Sequence, residues 1–158
     1  MNRTIIASVV AFAAIAGIEQ RVAEADLSKG VIGAFKSQLV ISAEELPEGK
    51  NDKETIAKIK AAKLSALTGE QKEDVTYWHF HYTAFLSKTG NTKLKLEFYN
   101  GKQLSADQQL DGIDPKSGAL TGEINIDEDQ GLAKGKTYTI KMVGPNDAVV
   151  ASTTLTMK

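Results

Sequence analysis

The sequence predicts a mainly β protein, an antiparallel sandwich with one inserted helix behind an N-terminal signal helix. Three observations indicate this fold: short segments alternate between apolar and polar residues, turns rich in Gly, Pro and Asn separate them, and a single stretch begins like a helix. Alternation with a period of two is typical of strands that bury one face, and tight turns join such strands in antiparallel order. The sequence shows no internal repeat and no sign of a second domain.

The first 25 residues have the pattern of a secretory signal. A positively charged N-terminal segment precedes the uncharged run 5–18. Ala23 and Ala25 supply small residues at positions −3 and −1 of a cut after Ala25. This run is short for a membrane anchor, which needs about 20 apolar residues. We predict a signal peptide over 1–25, one domain over 26–158, and a secreted, periplasmic or extracellular location. The alternative is a retained N-terminal helix that anchors or assembles the protein.

Composition excludes several classes of function. The chain contains no cysteine, which rules out disulfides, thiolate metal sites, a cysteine nucleophile and lipid attachment through an N-terminal cysteine. The formal net charge is −1 at pH 7, and every basic residue after Arg21 is a lysine. Because the planar arginine fork is the usual reader of phosphates and base edges, nucleic acid is not an expected partner. No membrane span is expected after cleavage of the signal.

One helix is predicted, over residues 51–68. Asn51 is a suitable N-cap, Glu54 follows at the spacing of a capping pair, and Gly69 ends the pattern. Its apolar residues fall on one broad side that lysines interrupt. We expect this helix as an insertion between the first two long strands.

The strands are predicted from their alternation. In the first, 35–42, the side chains of Phe35, Leu39 and Ile41 are expected on one face. The stretch before it, 26–33, is expected to be a short leader without regular structure. The other predicted strands are 75–86, 94–98, 120–126, 136–143 and 148–157, with a hairpin turn at Asn100-Gly101, a loop over 107–118 and a turn over 144–147.

The segment from Leu132 to Tyr138 resembles the corner between two late strands of fibronectin type III and related immunoglobulin-like domains. In those domains a leucine six residues before a tyrosine builds a corner in which the tyrosine hydroxyl bonds upstream backbone. The resemblance extends over 120–157 and implies an immunoglobulin-like β-sandwich, with Trp78 as its large core aromatic. It implies no catalytic residues. The inserted helix and the missing cysteine pair depart from the family, so an antibody-type domain is not expected.

His79 and His81 are the two histidines of the chain, and as residues i and i+2 of one strand they project from the same face. Such a pair can supply two imidazoles to zinc or copper, although no sequence feature identifies a third ligand. Tyr77 and Phe85 share the face, so it could instead be a partner-binding surface of Tyr77, His79, His81 and Phe85. The third alternative is that the inserted helix packs over it.

Asn125, Asp127 and Asp129 alternate near a strand end and suggest a calcium loop. The EF-hand pattern requires Gly at its sixth position and Glu at its twelfth, where this chain has Gln130 and Lys136. That template fails. Asp residues in loops also form Asx-turns, which is the alternative interpretation.

No catalytic constellation is recognisable. The stretch 131–137 is one residue short of a phosphate-binding P-loop and leads into a strand, and no Gly-x-Ser-x-Gly elbow is present. We therefore expect a non-catalytic binding or structural module with a protein, envelope or extracellular-matrix partner. The alternatives are a filament or envelope assembly subunit that retains its N-terminal helix, and a periplasmic metal-binding protein that uses His79 and His81. Apart from that divalent metal, no cofactor is expected.

Overall fold

The computed structural model describes residues 21–158, and strands are its main element. Among these residues, no helix is long and apolar enough to cross a membrane. The helices are α1 (Lys29–Ala34) and α2 (Asp52–Ala62), with single 3₁₀ turns at Glu128–Gln130 and Pro145–Asp147. The strands are β1 (Arg21–Glu24), β2 (Leu39–Ser42), β3 (Ala66–Leu67), β4 (Glu70–Lys72), β5 (Val75–Phe85), β6 (Leu94–Asn100), β7 (Gln103–Leu110), β8 (Ala119–Asp127), β9 (Thr137–Val143) and β10 (Val149–Met157).

Two sheets form a β-sandwich, as the alternation predicts. Sheet I has the strand order β1-β8-β5-β2, and β4 pairs with the start of β5. Sheet II has the order β3-β10-β9-β6-β7, in which β3 alone of the named strands pairs in parallel. The inward side chains of the two sheets form the main core, which includes Ile41, Trp78, Phe80, Tyr82, Leu96, Phe98, Ile124, Ile140 and Leu155.

A second apolar cluster lies on the outer face of sheet I, beneath the two helices. The rings of Phe35 and Phe85 lie with their centroids 5.0 Å apart. Phe35 therefore packs on the outer face, and its predicted place beside Leu39 and Ile41 is wrong because the strand begins only at Leu39. The buried members of this second cluster are Val31, Phe35, Val40, Ile59, Phe85 and Ala119.

The predicted start of the inserted helix is correct, but its predicted end is wrong. The Asn51 side chain accepts a hydrogen bond from the Glu54 N–H at 2.9 Å, as an N-cap should. The helix ends at Ala62 rather than at residue 68, since Lys63 adopts an extended conformation. The residues that follow are drawn into β3 by pairing with β10, so tertiary contacts end the helix.

Two segments predicted as irregular contain regular structure. The leader 26–33 includes most of α1, which Ser28 caps by accepting a hydrogen bond from Val31 N–H at 3.2 Å. The predicted loop 107–118 begins four residues too early, because Gln103–Leu110 is a strand paired with β6. The turn predicted at Asn100-Gly101 does join β6 and β7.

The contact expected of the Leu132–Tyr138 segment is present. The Ala133 N–H donates to the Tyr138 hydroxyl oxygen at 2.8 Å, and both Leu132 and Tyr138 are buried. This bond lies where the chain crosses from β8 in sheet I to β9 in sheet II. It therefore fixes the connection between the two layers.

Two buried tyrosines are expected to respond oppositely to the loss of their hydroxyls. The Tyr82 hydroxyl is buried with no hydrogen-bond partner among the described residues, and burial raises the pKa of Tyr82 far above its ordinary value. Because burying an unpaired hydroxyl costs about 1–3 kcal/mol, Tyr82→Phe should keep or raise the free energy of unfolding. Tyr138→Phe is the matched control and should lower it by about 1–2 kcal/mol, since Ala133 N–H loses its acceptor. Urea denaturation measures both values, and equal losses would contradict the assignment.

Candidate metal centre

The two helices cover only one end of the outer face of sheet I. Phe85 is fully buried beneath them, and Thr83 beside it is also buried. At the other end Tyr77 is 40% exposed, and the side chains of His79 and His81 are 49% and 16% exposed. The predicted binding face is thus divided: Phe85 belongs to the second apolar cluster, whereas Tyr77 and His79 face solvent.

The pairing of β5 with β8 places polar side chains beside the histidines. In this register His79 lies opposite Asn125, and His81 lies opposite Glu123. The Glu123 Oε1 atom is 3.7 Å from His79 Nε2 and 3.6 Å from His81 Nε2. The ligand atoms of the three residues all lie within 4.8 Å of one another, and the two rings meet edge to face at 5.5 Å.

These distances fit ligands spaced around a common point better than they fit hydrogen bonds. Contacts of 3.6–3.7 Å from Glu123 to the two imidazoles exceed the hydrogen-bond range. Around a tetrahedral zinc with bonds of about 2.0–2.1 Å, ligand atoms lie about 3.3–3.4 Å apart. The two contacts of Glu123 are within a few tenths of an ångström of that spacing, and small side-chain rotations would bring the three ligand atoms, which lie within 4.8 Å of one another, around a common point.

Asn125 orients the more exposed imidazole. Its Oδ1 atom lies 2.7 Å from His79 Nδ1. Since a carboxamide oxygen only accepts, His79 Nδ1 carries a proton and donates, so in the neutral form of the imidazole the lone pair is on Nε2. Nε2 is the atom near Glu123. Metal-binding histidines are typically held by such a hydrogen bond from the other ring nitrogen.

The other residues of the predicted calcium loop make local contacts. Asp127 Oδ1 accepts from Asp129 N–H at 2.9 Å, and Gln130 Oε1 accepts from Asp127 N–H at 3.0 Å, so these residues cap the 3₁₀ turn Glu128–Gln130. Desolvation by burial raises the pKa of Asp127, and the Asp129 N–H opposes that rise. Only Asn125 of the three hydrogen-bonds a histidine among the described residues.

Two surface clefts flank the histidines. One, of about 370 Å³, is lined by residues that include Tyr77, His79 and Asn125. The other, of about 400 Å³, is lined by residues that include His81 and Glu123. A metal held between the clefts would keep a coordination position accessible from solvent, as three-ligand protein sites do.

Glu123 is the site residue that sequence reasoning missed. The sequence places it on the polar face of a predicted strand, together with Asn125. That alternation is the one signal that favours these two residues over other acids and amides of the chain. Their position beside the histidines depends on β5 pairing with β8 in one particular register, which alternation does not encode.

Comparison with protein-family models and with curated sequences gives no relative from which a role can be transferred. No protein-family model matches the chain, and no curated protein matches it in sequence. The class of the protein is therefore defined by its fold and its site: a two-sheet β-sandwich that carries a His-x-His pair beside a carboxylate.

Proposed function

We propose that this protein is an exported, non-catalytic β-sandwich module that binds a divalent transition metal through His79, His81 and Glu123. The observation that carries the proposal is the approach of both Nε2 atoms to one carboxylate oxygen at 3.6 and 3.7 Å. Imidazole and carboxylate ligands suit zinc and copper(II). A ligand set without thiolates also resists oxidation outside the cytoplasm.

An ordinary ion-pair role explains the arrangement of His79, His81 and Glu123 less well. Glu123 and His79 have side-chain exposures of 27% and 49%, and solvent-exposed ion pairs contribute little to stability. Through its bond to Nδ1, Asn125 directs the Nε2 atom of His79 toward Glu123, the orientation that a metal ligand needs. Metal binding accounts for both the separation of the three groups and the orientation of the imidazole.

We further propose that the sandwich is of the immunoglobulin-like type related to fibronectin type III. The neighbouring strands β2-β5-β8 of sheet I and β10-β9-β6-β7 of sheet II correspond to the strand orders A-B-E and G-F-C-C′ of such domains. The hydrogen bond from Ala133 to Tyr138 supports the same type, because it lies at the E–F crossover. Domains of this architecture commonly present binding surfaces, which agrees with a non-enzymatic role only at the level of fold analogy.

Titration of the purified protein with Zn²⁺ and Cu²⁺ tests the proposed function. We expect one equivalent to bind, and Glu123→Gln to weaken binding about 10–100-fold, because a neutral amide replaces an anionic ligand. Glu45→Gln is the control, since Glu45 borders the cleft of His81 but lies outside the three-residue group. It should change the affinity less than about twofold. Wild type and Glu123→Gln binding with equal affinity would overturn the proposed function.

A further inference from the structure

Residues on both sides of the predicted cut at Ala25 belong to one folded unit. The predicted signal segment lies outside the described residues up to position 20, but its end, Arg21–Glu24, forms β1. This strand pairs antiparallel with residues 120–123 of β8. The ladder continues to the cut itself, because Ala25 N–H donates to the Ala119 carbonyl oxygen at 3.1 Å.

Side chains also tie this segment to the domain. Val22 packs against the main core, and Ala25 packs against the second apolar cluster together with Leu27, which lies beyond the cut. The Ser117 hydroxyl, almost fully buried, donates to Glu24 Oε2 at 3.0 Å. Removing residues up to Ala25 would withdraw apolar contacts from both clusters and take the acceptor from a buried hydroxyl, which is unfavourable.

A cut at Ala25 would also expose an edge of sheet I. Residues 120–123 of β8 would lose their paired strand and present free N–H and C=O groups. Such an edge is a template for pairing with other chains, and exported proteins normally keep it short or covered. Retaining β1 avoids this exposure.

The sequence offers a second cleavage signal upstream of β1. Ala14-Ile15-Ala16 places small residues at positions −3 and −1 of a cut before Gly17, and the uncharged, mostly apolar run 5–12 precedes it. A run of eight residues in a leader of 16 satisfies the ordinary limits of a signal peptide. We propose that the signal is cut between Ala16 and Gly17, so that the exported protein begins at Gly17 and keeps β1.

This cut leaves the border of the candidate metal centre intact. Val22 and Ala23 line the cleft that contains His81 and Glu123, and β1 places Arg21 opposite Glu123 in register. All three would be lost with a cut at Ala25. The assignment of the cut rests on the pairing and packing of β1, so it holds whether or not the centre binds metal.

Intact-mass measurement of the exported product from the full-length precursor tests the assignment. The expected mass corresponds to a chain from Gly17 to Lys158. A product beginning at Asp26, or one that retains Met1, would overturn it.

A matched pair of variants tests the position of the cut independently of the intact-mass measurement. A lysine at position −3 blocks signal cleavage, so Ala14→Lys should reduce the processed product at least about tenfold. Ala23→Lys should be processed like the wild type, and because Ala23 is exposed the domain should tolerate it. If Ala23→Lys blocks processing and Ala14→Lys does not, the cut lies after Ala25 and the proposal is wrong.

Discussion

Replacing His79 and His81 together by alanine is expected to lower the affinity for Zn²⁺ and Cu²⁺ by about 1000-fold or more. Each coordinate bond contributes several kcal/mol to binding, and the double variant leaves Glu123 as the one remaining member of the group. The imidazoles lie toward the open end of the outer face and outside both apolar clusters, so the variant should fold. Isothermal titration measures the affinity, and thermal unfolding without metal checks the fold.

Asn125→Ala separates orientation from ligation in the same experiment. It leaves all three ligand residues in place and removes the acceptor of His79 Nδ1–H. Loss of such an outer hydrogen bond typically weakens metal binding about 10–100-fold. We therefore expect an affinity between those of the wild type and the double histidine variant. An Asn125→Ala protein that binds as the wild type does would show that Asn125 does not position the imidazole, and a double histidine variant that keeps wild-type affinity would exclude the whole centre.

The pH dependence of binding provides an independent check. Imidazole binds a metal only in its neutral form, so protons compete with Zn²⁺ for His79 and His81. The affinity for Zn²⁺ should therefore fall as the solution is made acidic. Metal association through surface carboxylates alone would show a weaker dependence of affinity on pH, because carboxylates gain protons only at lower pH than imidazoles do.

Strands that bury one face were predictable because alternation is a local property. The predicted segment 75–86 corresponds to Val75–Phe85, and 148–157 corresponds to Val149–Met157. The strand β7 was not predicted because it carries few apolar residues. It lies at the edge of sheet II, where a strand needs less burial. β7 is a strand because it pairs with β6, and the composition of β7 alone does not indicate that pairing.

Of the candidate site, the two histidines were predictable from the sequence and the position of Glu123 was not. The spacing of His79 and His81 places them on one face of any strand. The approach of Glu123 is a property of the sheet order, in which β8 lies beside β5 although two other strands separate them in the chain. The same limit applies at the N-terminus, where sequence patterns permit a cut after Ala16 or after Ala25.

Gly131→Ala is expected to destabilise the domain by about 3 kcal/mol or more, the largest stability effect predicted for a change this small. Gly131 follows the 3₁₀ turn between β8 and β9 and has a φ of 109°. A side chain there would adopt an unfavourable conformation, and its Cβ atom would overlap the backbone carbonyl oxygen of Ser105 in β7. Ser105 lies where the pairing of β7 with β6 shifts register, but its carbonyl oxygen belongs to the backbone and has less freedom than the end of a flexible side chain, so the strand or the crossover must shift.

Gly135→Ala isolates the steric part of this effect. Gly135 lies on the same connection with a φ of 86°, but no atom lies within 4 Å of the position that its Cβ would occupy. Only the conformational penalty of a positive φ applies, and it should lower the free energy of unfolding by about 1–2 kcal/mol. The difference between the two variants therefore measures the contact of Gly131 with β7. Urea denaturation with unchanged m-values provides both numbers, and equal losses would mean that β7 yields freely to the added methyl group.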